Sequence, residues 1–199
     1  MKDESTLVAQ AQLGSAEAFT QLVEAYQTHV YNLCYRMLGE AESAEDASQE
    51  TFLRAFQHLH RYDHGRPFAT WLLSIAAHYC IDRLRRRRFS FMSMDQGDDG
   101  DGLEFPDPAA PSPEGEAVRH ELREQMQGLL QQLNSVDRAA IILRYWHDCS
   151  EAEIADTLHL TVSAVKSRLH RARRELGSLW QEEGTRTNHE RRPHESPAF

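Results

Sequence analysis

The chain has 199 residues, of which 27% are charged and 40% hydrophobic, and its 31 acidic against 22 basic side chains give a net charge of -9. That length accommodates two small domains, and the balance is that of a globular rather than a disordered chain. No apolar run is long enough to cross a bilayer and the start, Met1-Lys2-Asp3-Glu4, is polar, so neither membrane insertion nor secretion is expected and a cytoplasmic location follows. Cys34, Cys80 and Cys149 are far apart and lack metal-ligand spacing, so they are expected as buried, reduced thiols.

Along the chain, Phe19, Leu22, Val23, Tyr26, Val30, Leu33, Cys34 and Met37 recur at helical spacing, and Gly39 supplies a stop. A second helix is expected to open at Ser43, with Asp46 completing a capping box, and to bury Phe52, Phe56 and Leu59. Its other face carries Asp46, Glu50, Arg54 and Gln57, a polar surface available to a partner, although Glu50 and Arg54 are equally an ordinary i, i+4 pair.

A third helix starts at Pro67 and runs to about Arg88. Phe68, Leu72, Leu73, Ile75, Ala76, Tyr79, Cys80 and Leu84 form its core arc, while Thr70, Ser74, His78, Asp82 and Arg85 lie opposite. Trp71 falls with the polar set. An exposed indole among small polar groups, on a helix ending in arginines, suits the stacking of single-stranded bases; packing at a domain edge is the competing reading. The preceding loop, Tyr62 to Arg66, is positioned to receive an unstacked base.

Residues 95 to 116 contain eight acids, no Lys or Arg, and many Gly and Pro, so they read as a linker; without them the net charge of -9 falls to -1. Beyond it, Val118, Leu122, Met126, Leu129 and Leu133 mark one helix, and Val136 to Tyr145 another. Ser150 with Glu153 forms a capping box for a short helix to about Leu158; a turn from His159 to Thr161 follows, and Thr161 caps a last helix with Val165, Leu169, Ala172 and Leu176 on its core side.

Two short helices joined by a tight turn, the second basic, are the pattern of a helix-turn-helix that lays its second helix in the major groove. Ser163, Lys166, Ser167, His170, Arg171 and Arg174 share the face opposite the apolar stripe, with Arg168 and Arg173 on its flanks. On this reading Arg171 contacts a guanine and Arg168 anchors on phosphate; a solvated basic face is the alternative. The closing residues are expected as a disordered tail. No H-E-x-x-H, Cys/His ligand set or glycine-rich phosphate loop occurs, so no enzyme, metal or cofactor is expected.

Three ordered motifs carry a family resemblance. The run RPFATWLLSIAAHYCIDRLRRRR resembles the promoter-melting segment of extracytoplasmic-function sigma factors of the sigma-70 family, AEDASQETFLRAF their polymerase-docking helix, and SEAEIADTLHLTVSAVKSRLHRARREL their minus-thirty-five reader. The resemblance implies an all-α chain of two helical domains at 5–92 and 117–181, an acidic linker at 93–116 and a tail at 182–199. It implies a sigma factor that binds core RNA polymerase and directs promoter recognition and melting, for a stress or envelope regulon, under the control of an anti-sigma factor. The alternative is a helix-turn-helix regulator that binds duplex DNA unaided.

By the same resemblance, Asp46, Gln49, Glu50, Arg54 and Gln57 contact polymerase. His64, Arg66, Phe68, Thr70, Trp71, Ser74, His78, Arg85 and Arg86 meet minus-ten DNA, and Thr161, Ser163, Lys166, Ser167, Arg168, His170, Arg171 and Arg174 meet minus-thirty-five DNA. The linker is implied to enter the polymerase cleft as a phosphate mimic, a plain tether being the other possibility. Three positions depart from the family pattern: His78 replaces a frequent Asn, His159 the usual turn glycine, and Leu72 a second tryptophan of housekeeping members.

Overall fold

The computed structural model describes the backbone of residues 3–93 and 113–190 and the side chains of residues 3–88 and 120–182. Eight α-helices and no strand occur among the described residues: α1 (Glu4–Gln12), α2 (Ala16–Leu38), α3 (Ala41–His58), α4 (Phe68–Ser93), α5 (Pro113–Gln132), α6 (Ser135–Trp146), α7 (Glu151–Leu158) and α8 (Val162–Glu190). Most of the acidic segment, 94–112, and residues 191–199 lie outside the described residues.

Local chemistry sets most boundaries. The Ser15 side chain accepts from the Ala18 N–H to open α2, and Gly39 closes it at φ 82°, donating to the Tyr35 carbonyl. Asn134 caps α6 through the Asp137 N–H, and Ser150 with Glu153 forms the anticipated reciprocal capping box of α7. The Thr161 hydroxyl caps α8 by accepting from Ala164.

Four expectations change. Helix α1 has too short an apolar pattern to stand out, yet it buries Leu7, Val8 and Ala11, and Gln12 ties it to the carbonyls of Leu59 and Tyr62, 3.0 Å from each. Helix α3 opens at Ala41 rather than Ser43, whose hydroxyl instead donates to the Glu40 carboxylate. Its buried stripe is Ala44, Ala47, Thr51 and Ala55, small side chains that allow close approach to the rest of the bundle, so Phe56 is turned outward and is 51% exposed. The expected tail is helical as far as Glu190, and α5 already begins at Pro113 within the expected linker.

The helices α1 to α4 form one bundle and α5 to α8 a second, and their buried side chains merge into one continuous core. The seam centres on the C-terminus of α2, whose terminal carbonyls carry partial negative charge and need donors. From α5, Gln127 donates to the carbonyls of Tyr35 and Arg36, and Gln131 also donates to Arg36. From α6, the buried Arg138 guanidinium donates to the Met37 carbonyl and to the Gln131 and Leu133 carbonyls at the end of α5. It has no carboxylate partner among the described residues, and burial pushes its pKa down to about 10. Arg36 lies over the Trp146 ring at 4.5 Å.

His147 lies beside this seam, 6.3 Å from His29 between ring centroids, with both ring nitrogens buried and unpartnered among the described residues. Burial first, and then His29 and Arg36, push its pKa from 6.5 down to about 4, so it is neutral in the fold. The unfolded chain takes up this proton as pH falls through 6.5, whereas the folded chain does not until about 4. Thermal melts should therefore show stability constant above neutrality and declining between pH 6.5 and 4.5, and His147→Asn should flatten that decline.

Replacing Arg138 by Met leaves carbonyls of two helix ends without their donor. Urea titration should register a loss of about 2 to 4 kcal/mol.

Candidate nucleic-acid interface

In the second bundle, α7 ends in the paired 160→155 and 159→156 backbone bonds of a Schellman turn, and His159 takes the left-handed conformation at φ 53°. A non-glycine residue thus supplies the reversal that turns α8 across α7. Ser163, Lys166, Ser167, His170, Arg171 and Arg174 are exposed along one side of α8, with Thr161 exposed at its start, while Val165, Leu169 and Ala172 are buried. The anticipated duplex-facing set is therefore assembled on one surface.

Its arginines are constrained by a group the sequence did not single out. Asp137, 0% exposed in the first turn of α6, receives Arg168 Nη1 at 2.6 Å and Arg171 Nε and Nη2 at 3.2 Å each, and Asn134 Nδ2 donates to the same carboxylate at 2.7 Å. Arg168 is thereby held inward, and Arg171 keeps 59% of its side chain exposed. The only sequence trace of this site was the Asn134-x-x-Asp137 capping spacing. Lys166 pairs with Glu151 at 3.6 Å, and Arg173 donates to the Tyr145 hydroxyl at 3.4 Å.

In the first bundle, the N-terminal half of the α4 arc opposite its core is covered, whereas Asp82 and Arg85 farther along it are exposed. Thr70, Trp71 and Ser74 are 4%, 6% and 8% exposed, so the expected exposed indole is a correction: Trp71 packs beside Tyr62 and Phe68, with ring centroids 5.2 and 5.6 Å away. Those two rings come from the first bundle itself, and the second bundle packs α7 and the turn after it against α4 at Thr70 and His78. Thr70 is 3.5 Å from Glu153, Arg66 pairs with Asp156 at 2.9 Å, and the His78 and His159 rings stack at 4.8 Å. The Ser150 hydroxyl and N–H hold the Glu153 carboxyl below its usual range. Phe68 is buried as well, whereas His64, Arg85 and Arg86 are exposed. Loop 62–66 is braced by the Tyr62 hydroxyl donating to the Arg66 carbonyl and by His64 bonding Gln12.

The residues expected to meet polymerase lie on α3. Asp46, Gln49, Glu50, Leu53 and Tyr79 line a shallow depression. Glu50 pairs with Arg54 at 2.7 Å, the Arg54 guanidinium lies over the Tyr79 ring at 4.8 Å, and Arg83 reaches Asp46 at 3.6 Å. Gln57 is exposed on the next turn, and the outward Leu53 and Phe56 add apolar area that the polar-face reading did not include.

Residues 22–90 match the family model for sigma-70 region 2, and residues 123–176 that for sigma-70 region 4. The chain is 34% identical over 172 residues to the ECF RNA polymerase sigma factor SigW of Bacillus subtilis strain 168, spanning 85% of this chain and 92% of SigW. It is 35% identical over 176 residues to the ECF RNA polymerase sigma factor SigL of Mycobacterium tuberculosis H37Rv, spanning 86% and 96% respectively. Among solved structures, CnrH in complex with the cytosolic domain of CnrY superposes with a TM-score of 0.67 at 28% identity, covering 90% of this chain and 99% of CnrH. The sigma factor RpoE of Bartonella quintana, in complex with the anti-sigma factor NepR, has the same fold, with a TM-score of 0.68 at 20% identity. The chain belongs to the extracytoplasmic-function group of the sigma-70 family, the RNA polymerase subunits that direct promoter recognition and the start of transcription.

Proposed function

We propose that the three surfaces divide the work of this sigma factor. The unit at 5–92 docks on core polymerase through α3 and handles the minus-ten strand through α4, and the unit at 117–181 reads the minus-thirty-five duplex through α8. The acidic stretch connecting them acts as a tether whose carboxylates suit a place in the basic polymerase cleft. The chain works in the cytoplasm as a binding subunit with no chemistry of its own, as its family generally does.

The observation that carries the reading is the single exposed surface of α8, where a helix capped by Thr161 presents Ser163, Lys166, Ser167, His170 and Arg174 together. Side chains of this kind serve both base edges and phosphates. Since Asp137 holds Arg168 inward, phosphate anchoring passes to Lys166, Arg173 and Arg174. On α4, Arg85 to Arg88 are exposed beyond the covered arc and suit the backbone of a displaced strand. On α3, the depression lined by Asp46, Gln49, Glu50, Leu53 and Tyr79, with Phe56 exposed on the same helix, sets apolar side chains among polar ones, which suits a protein partner. The likeness to CnrH, solved with the cytosolic domain of CnrY, supports a protein partner for this chain beyond polymerase, the place an anti-sigma factor would take.

The test is reconstitution with core polymerase on a library of randomised promoter DNA, scored by run-off transcripts. Transcripts from a selected promoter are expected; tight duplex binding by the free chain with no transcript from any sequence would overturn the reading in favour of a polymerase-independent regulator. In that assay, Arg85→Ala with Arg86→Ala should reduce open-complex formation by tenfold or so, about 1.4 kcal/mol, and leave recognition of the minus-thirty-five element unchanged.

A further inference from the structure

The α8 surface contains two arginines that share one buried carboxylate, and a buried carboxylate is retained only where cations and donors compensate it. Three groups converge on Asp137: Arg168, Arg171 and the Asn134 amide. Arg171 is gripped along its Nε–Nη2 edge, which leaves the Nη1 side of the guanidinium directed away from Asp137. An arginine on a solvated helix face samples many rotamers and reaches whichever phosphate is near. One held by two bonds presents its remaining edge in a fixed direction, the condition for bidentate recognition of a base.

Resting on the reading of α8 as the duplex reader, we infer that Asp137 is a positioning residue for sequence choice. It withdraws Arg168 from phosphate contact and sets the direction in which Arg171 meets a base edge. The experiment is selection of a randomised duplex library by holoenzyme assembled with core polymerase, with binding to random-sequence duplex measured across a salt series. Asp137→Asn should blur selection at one or two base pairs and steepen the salt slope by about one, as a released arginine finds a phosphate. Asp137→Glu, which keeps the charge but shifts the grip, should change the selected bases with the slope near that of the parent chain.

A folded Asp137→Asn chain with unchanged selection and unchanged slope would assign Asp137 to packing alone. If that variant fails to fold, Asp137→Glu decides, and selection identical to the parent overturns the inference. Failure of the parent holoenzyme to select any sequence is a different outcome, and it counts against the reading of α8 itself.

Discussion

The guanidinium of Arg138 is the interaction on which the arrangement of the two bundles depends. It is buried and has no carboxylate partner among the described residues; its two Nη atoms donate to backbone carbonyls at the ends of α2 and α5, while its Nε is buried without a hydrogen-bond partner among the described residues. Each of those ends has the partial negative charge of an unsatisfied helix terminus, so one cation answers two helices at once. Gln127 and Gln131 complete the same task with neutral donors, and Arg36 turns toward Trp146. The seam is thus a set of donors from the second bundle fitted to the end of one helix in the first. The apolar core that runs through both bundles then follows from their being held so close.

That arrangement explains why the two reading surfaces have different environments. The reading side of α8 is exposed, whereas Thr70, Trp71 and Ser74 on α4 are buried. Chemistry that looks equivalent in the sequence, small polar residues and arginines on a helix, therefore has different neighbours. On α8 the reading side chains are tethered one by one, Arg168 and Arg171 to Asp137, Lys166 to Glu151 and Arg173 to Tyr145; on α4, Thr70 and His78 lie against another helix and the turn after it.

Much of the fold was legible because its signals are local. The Gly39 stop, the Ser150–Glu153 capping box, the Thr161 cap and the left-handed His159 all follow from side-chain chemistry within a few residues. The membership in the sigma-70 family was legible from three motifs in order. What was not legible depends on partners remote in sequence. Periodicity ranks Trp71 with the polar face of α4 because a helical projection has no means of knowing that the rings of Tyr62 and Phe68 pack beside it. Phe56 was assigned to the core because a large aromatic outweighs alanines in an apolar count, yet Ala44, Ala47 and Ala55 permit the closer packing. Asp137 looked like an ordinary acid in the first turn of a helix; its meaning came from α8, some thirty positions away, through the ion pairs at 2.6 and 3.2 Å.

Gly39 joins the local and the remote demands at one atom. A Cβ built there would lie 2.9 Å from Gln131 Nε2, in a backbone conformation of φ 82°. The amide can swing aside, but only by giving up its bond to the Arg36 carbonyl. Asparagine tolerates the left-handed backbone and still collides, and alanine, the smallest intruder, meets the backbone penalty as well. Substitution there is disfavoured on two unrelated grounds, the left-handed backbone and the need to displace the Gln131 amide, so a turn that looks like simple punctuation in the sequence also bears on how the two halves of the molecule meet.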